Sequence, residues 1–158
     1  MEELNVVDEK NKIVDTKTRS EIHKNKLSHR SVMFLVKNEE NDILVTKRSH
    51  DKEFFPGYWS LVLGGHVKAG DTYELSLKRE MKEEIGIIGY YNELGSFKKD
   101  IDEETEFVML YEVIVKEDEV ELFKKEFEEG EFWNENKIMK EIKRKDFLPE
   151  TEQILQFL

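Results

Sequence analysis

Gly65-His-Val-Lys-Ala-Gly-Asp71-Thr-Tyr-Glu-Leu-Ser-Leu-Lys-Arg79-Glu80-Met-Lys-Glu83-Glu84-Ile-Gly86-Ile87 decides how the chain is read. It follows an apolar run, Leu61-Val62-Leu63, opens in glycines and closes on Gly86. Good helix formers fill the space between. The pattern predicts strand, loop, helix and stop. At 3.6 residues per turn, Glu80, Glu83 and Glu84 share a face, while Tyr73, Leu77 and Met81 recur on another that suits packing on a sheet. Like charges gathered at a helix C-terminus, where the dipole is also negative, cost a few tenths of a kcal/mol per pair, roughly, in a bare helix. A divalent cation removes that penalty, and hard oxygen donors favour Mg²⁺ or Mn²⁺. A solvated acidic face of an acidic protein accounts for the same spacing.

Working outward, Ser31–Val36 and Asp42–Thr46 read as two buried strands joined by a polar turn, followed by Lys47, Arg48, His50 and Lys52 and an aromatic Pro-Gly corner, Phe54–Trp59. That corner is expected to be packed rather than a stacking platform. Leu4–Val7 and Ile13-Val14 flank a polar segment as a short hairpin. On the other side, Tyr90-Tyr91 with Leu94–Phe97 suggest a short strand and Glu106–Val115 a long one. The acidic run from Glu117 to Glu131, with Phe123 and Phe127 at helical spacing, reads as a solvated helix in preference to a partner surface. An edge strand at Glu131–Trp133, a helix from Asn136 to Ile142 capped by Asn134 or Asn136, and a last helix opened by Pro149 complete the chain. This alternation predicts one mixed α/β (α+β) domain over residues 1–158, with residues 1–30 as an N-terminal hairpin extension.

Composition sets outer limits. The 158 residues carry a formal net charge of −11, which argues against duplex nucleic acid or an anionic membrane as partner. With no cysteine, disulfides, a thiol nucleophile and Cys-type zinc sites are excluded. Ten Phe and two Trp are too many for a disordered polymer. No apolar run approaches a membrane span, and the start Met1-Glu-Glu-Leu-Asn5 lacks the basic and apolar regions of a signal peptide, so the cytoplasm is the expected compartment. The sequence leaves the oligomeric state open, a homodimer included.

The opening stretch, residues 65–87, resembles the Nudix box: a glycine, five residues, an acid, seven residues, then Arg-Glu-apolar-x-Glu-Glu-x-Gly-apolar. Gly65, Arg79, Glu80, Met81, Glu83, Glu84, Gly86 and Ile87 match. Asp71 stands where the family usually has Glu, one methylene shorter for holding the box arginine. The resemblance implies a Nudix-type α/β/α sandwich with a mixed sheet and a catalytic loop-helix-loop. It also implies Mg²⁺-dependent (or Mn²⁺-dependent) hydrolysis of a diphosphate linkage in a nucleoside diphosphate derivative or related organic diphosphate. Glu80, Glu84 and the carbonyl of Gly65 are then the metal ligands, Arg79 holds a neighbouring carboxylate, and Glu83 is a ligand or the general base, with Glu106 as second candidate for either role.

Features outside the box, among them Arg19, His23, His29-Arg30, Lys47-Arg48, Lys52, Pro56-Gly57-x-Trp59 and Gly65-His66, are similar to isopentenyl-diphosphate isomerases of the Nudix type and to uncharacterised Nudix hydrolases close to them. That similarity implies a metal held by His23, His29, His66, Glu104 and Glu106, and a diphosphate held by Arg48 and Lys52, with His66 beside the substrate. The isomerase cysteine, however, precedes the Gly-His pair, where this chain has Gly64. Without it allylic isomerisation lacks one of its two proton-transfer partners. The alternatives to hydrolysis are therefore an isomerase-like enzyme, disfavoured by Gly64, and a non-catalytic diphosphate-binding module.

Overall fold

A computed structural model describes residues 2–158. β1 (Glu3–Val7) and β2 (Ile13–Thr18) form the expected hairpin as a separate two-stranded sheet, and α1 (Arg19–Asn25) follows, started by a capping box between Thr18 and Glu21. β3 (His29–Lys37), β4 (Ile43–Arg48), β5 (Trp59–Ser60), β6 (Leu63–His66), β7 (Tyr90–Ile101), β8 (Glu104–Ile114) and β9 (Phe127–Trp133) build the main sheet. Its order is β5-β4-β3-β8-β7, with β6 on β3 and β9 on β4. β3 and β8 run parallel and every other pair antiparallel, so the sheet is mixed.

The alternation of β3 divides the interior. Val32, Phe34 and Val36 face a core that includes Leu77, Met81 and Ile85 of α2 (Tyr73–Ile85), while Met33 and Leu35 face another with Ile138 of α3 (Glu135–Glu141) and Ile154 of α4 (Thr151–Leu155). Helices thus cover both faces of the sheet. α2 begins where Thr72 Oγ1 accepts the Leu75 amide at 3.1 Å and ends on Gly86, whose φ of 78° is a left-handed cap that glycine adopts without Cβ strain. Its expected dry face is borne out, with Leu77 and Met81 fully buried.

β3 touches β4 at Lys37 and Ile43, while Ser31–Phe34 pair with β6 instead. The start of β3, the start of β8, the end of β4 and the end of β6 therefore meet at one end of the sheet, and the divergence of β4 from β3 opens a cleft there.

Two expectations are corrected. The acidic segment from Glu117 to Glu131 is not a helix: only Glu117–Glu119 makes a 3₁₀ turn, and Phe127–Trp133 is a strand. The open edge of β4 offers backbone partners from Ile43 to Arg48, and this pairing prevails over helical spacing that buried only two phenylalanines. Likewise Tyr90–Phe97 is not a short strand. β7 continues to Ile101 because it pairs with all of β8, through a bulge at Glu93/Gly95 and a turn in which Asp102 and Glu103 both have positive φ.

Candidate active site

The cleft is a cavity of about 880 Å³ lined from both layers, including Glu84 of α2, Arg48 and Lys52 after β4, His66 of β6, Glu104 and Glu106 of β8, and Glu150 before α4. Three groups of side chains define its chemistry.

The first is the box. Glu84 is 9% exposed, and its Oε2 has no hydrogen-bond partner. Burial, then the neighbouring Glu80 and Glu126 carboxylates, push its pKa well above the ordinary carboxyl value. Glu80 is pushed up to about 7, by burial first and by Glu83 second, with the Arg79 guanidinium opposing. Its carboxyl group lies against the backbone of Gly65, where an added Cβ would overlap it. Gly65 pairs with Val32 of the α2-facing core, so a side chain there would point at the helix. Here the glycine is required by a close approach.

Arg79 is oriented by Asp71 at 2.6 Å, through Nη1, and by Ser76 Oγ at 3.2 Å. Ser76 also donates to Asp71 at 3.3 Å, so the shorter acid is supplemented by a hydroxyl and does hold the arginine. The three box glutamates do not share one environment. Glu84 is buried, Glu80 half-buried, and Glu83 exposed and outside the cavity lining.

The second group is an imidazole cluster. In the parallel register His29 faces Glu106, and His66 faces Ser31 two residues along the same side of β3. His29 Nε2 lies 3.2 Å and His66 Nε2 3.5 Å from Glu106 Oε1. One ligand atom from each of these three residues lies within 4.8 Å of the others, a spacing open to a metal ion. His29 Nδ1 is 3.0 Å from the Leu27 carbonyl, which fixes Nδ1 as donor and turns Nε2 inward, as in many metal-binding histidines whose other ring nitrogen donates to a carbonyl. His23 adds a ring 5.6 Å from that of His66 and 5.8 Å from that of His29; its Nδ1 sits 2.7 Å from Glu104, and its buried Nε2 has no partner.

Burial alone would raise the Glu106 pKa. Hydrogen bonds from His29 and His66 and the Lys99 ammonium at 3.7 Å outweigh it and hold the carboxyl well below its usual range. His29 is the reciprocal case: burial lowers it, but Glu106 raises it further, for a net upward shift.

The third group is basic. Arg48 Nε and Nη2 donate to the Phe54 carbonyl at 3.2 and 2.9 Å, and Lys52 pairs with Glu126. Burial lowers the Arg48 pKa, countered by Glu126, Glu150 and Glu84, so four charged groups surround one part of the cavity. Both cations reach the cavity, each with a protein partner. The aromatic corner is packed only in part: Trp59 stacks near Trp133 at 5.3 Å, while Phe54, 56% exposed, and Phe55 line the cavity mouth. Sequence reasoning missed Lys99, Glu126 and Glu150, because single charges in a chain this charged carry no local signal.

Comparison with known proteins agrees with this geometry. The NUDIX domain family model matches residues 27–156. An uncharacterised Nudix hydrolase of Yersinia pestis is 35% identical over 98 residues, 61% of this chain and 54% of the relative, and one of Pseudomonas aeruginosa is 37% identical over 81 residues, 51% of this chain and 48% of the relative. The chain spans about half the length of these curated relatives. Among solved structures, a Deinococcus radiodurans protein superposes with a TM-score of 0.84 at 21% identity, covering 98% of each chain. The NUDIX domain of a Shewanella oneidensis protein complexed with ADP ribose gives 0.66 at 14% identity, covering 89% of this chain and 96% of that domain. No helix among the described residues is long and apolar enough to cross a membrane. With its box helix, its mixed sheet between two helical layers and a family match over most of its length, the chain belongs to the NUDIX domain family.

Proposed function

We propose that this chain hydrolyses a diphosphate linkage in an organic diphosphate, with Mg²⁺ or Mn²⁺ held by Glu80, Glu84 and the Gly65 carbonyl. The observation that carries the reading is the pair of box carboxylates, Glu84 buried with an unpartnered oxygen and Glu80 half-buried against Gly65, both with raised pKa. Two ionised acids in a half-dry site repel each other, and a divalent cation is the economical remedy. When bound, the ion neutralises charge on phosphoryl oxygens and acidifies a water.

The chain's own groups supply the rest. Asp71 and Ser76 fix Arg79, which lowers the cost of ionising Glu80 beside it. Arg48 and Lys52 exchange Phe54 and Glu126 for phosphate oxygens. Glu83, solvent-facing beside Glu80, is the box candidate for proton acceptor. Glu106 suits that role poorly, since a carboxylate held deeply ionised has little proton affinity. It suits a metal ligand, and with His29, His66, His23 and Glu104 it forms our candidate for a second ion site, to which His66 then belongs instead of to the substrate.

The isomerase alternative loses support at Gly64. A Cβ there would collide with the Val32 carbonyl oxygen of the adjacent strand, so a cysteine does not fit this backbone. The bound ADP ribose of the Shewanella domain makes nucleoside diphosphate derivatives the first compounds to try. A phosphate-release screen of nucleoside diphosphates, diphosphate sugars and prenyl diphosphates, with Mg²⁺ and again with a chelator, tests the reading. Cleavage of at least one class that stops with the chelator is expected. Turnover that survives metal removal refutes the metal assignment, and no cleavage of any class refutes the hydrolase.

A further inference from the structure

One buried carboxylate in the cavity is used neither by the box nor by the imidazole cluster. Glu150 occupies the N-cap position of α4, where a short Ser, Thr, Asp or Asn side chain ordinarily accepts a helix amide, and its longer side chain makes no cap bond. Instead it lines the cavity with a side chain 4% exposed, and Oε2 has no hydrogen-bond partner. Its other oxygen lies 3.9 Å from Lys99 Nζ, an electrostatic contact too long for a hydrogen bond. The backbone around it is pinned: Leu148 N donates to the Trp59 carbonyl at 3.0 Å, Thr151 Oγ1 to the Leu148 carbonyl at 2.6 Å, and Gln153 Nε2 to the Lys98 carbonyl at 2.9 Å. A buried acceptor without a donor is costly, and a rigid support that maintains it signals a missing partner.

The position of Glu150 indicates which partner. Glu84 enters the cavity from α2 on one face of the sheet, whereas Glu150 enters with α4 from the other, and the apolar side chains of Met33, Val62 and Leu148 line the same cavity. A diphosphate engaged by the box, Lys52 and Arg48, whose guanidinium lies within electrostatic reach of both Glu84 and Glu150, leaves its organic part to the α4 side. We infer that Glu150 is a specificity-determining acceptor that takes a hydrogen bond from a hydroxyl or amino group on the organic part of the substrate. The site then selects diphosphates of sugars and nucleosides, which carry such donors, over prenyl diphosphates, which carry none. A pocket with a buried polar group rejects a ligand unable to pair it far more strongly than an apolar pocket rejects a poorly shaped one. The inference rests on the hydrolase reading only for where the diphosphate lies.

Calorimetric binding with Ca²⁺ in place of Mg²⁺ tests it without depending on turnover, using ADP-ribose and a diphosphate sugar against dimethylallyl and geranyl diphosphates. The wild type is expected to bind the donor-bearing compounds at least about tenfold more tightly. Glu150→Leu is expected to erase that ratio by weakening those compounds alone, while Glu150→Gln, which keeps an acceptor oxygen, retains most of it. Absence of preference in the wild type, binding of none of the four compounds, or a Leu variant that keeps the ratio while only its melting temperature moves, overturns the inference. A protein that discriminates in binding but cleaves nothing refutes the hydrolase and leaves this assignment standing.

Discussion

Glu84, buried, and Glu106, half-buried, line one cavity and are held in opposite electrostatic states. Glu84 comes from a helix that also supplies Glu80 and Glu83, so its neighbours are negative, and burial and repulsion both favour its neutral form. Glu106 comes from a strand whose register sets it opposite His29 and Lys99, so donors outweigh the same burial. The difference shows that burial by itself does not assign a carboxylate its role; the sign of what is packed beside it does. A site short of positive charge is prepared for a cation, and one already supplied with donors is prepared to orient its neighbours or share an ion with imidazoles.

The largest test of this contrast is Glu84→Gln. The substitution keeps the shape of the side chain and removes one of two paired charges. We expect Mg²⁺-dependent turnover to fall by about a hundredfold or more, a loss of the order seen when metal sites lose a supporting group, while the folded circular dichroism spectrum is unchanged. In the metal-free protein the melting temperature should not fall, because repulsion with Glu80 is relieved. Full activity in the variant would break the comparison at its first member.

The second member is tested by His29→Ala. If the imidazole cluster holds a transition-metal ion, its removal weakens that ion by about 10–100-fold, measured by competition with a chelator, whereas Mg²⁺ activation through the box shifts little. An unchanged transition-metal affinity would leave His29 as a partner for Glu106 alone.

These two centres were unequally legible in the sequence. The box could be read because its determinants are local: Glu80, Glu83 and Glu84 follow from helical spacing, the left-handed cap from Gly86, and the Arg79–Asp71 pair from eight residues along one turn-and-helix unit. The His29–Glu106 contact joins residues 77 apart through a parallel strand pairing that no local pattern announces, and only the isomerase resemblance pointed to it. Glu150 was not visible at all, since one more acid in a chain with 36 carries no distinguishing signal until a cavity closes round it. The segment from Glu117 to Glu131 misled for the complementary reason. Its composition suits a solvated helix, and the requirement that decided it, a partner for the edge of β4, lies elsewhere in the chain.

The smallest expected effect sharpens the comparison through pH. Glu80 titrates at about 7 in the folded chain against an ordinary value of 4.5, so the folded state binds the proton more tightly than the unfolded state does. Its contribution to stability is therefore complete below pH 4.5 and is lost as the pH rises to about 7, and Glu84 acts in the same direction. Glu106 has the opposite sign: its folded pKa is depressed, so its contribution is present above 4.5 and is lost only as the solution becomes more acid. Metal-free protein should thus lose a few degrees of melting temperature between pH 4.5 and 7, at roughly 2–4 °C per kcal/mol for a chain of this size, and added Mg²⁺ should restore them near pH 7.5 and not near pH 4.5. In Glu84→Gln both the loss and the rescue should shrink. A melting temperature that is flat over this range and indifferent to Mg²⁺ would mean that the box acids are not held in mutual repulsion, and the contrast with Glu106 would disappear.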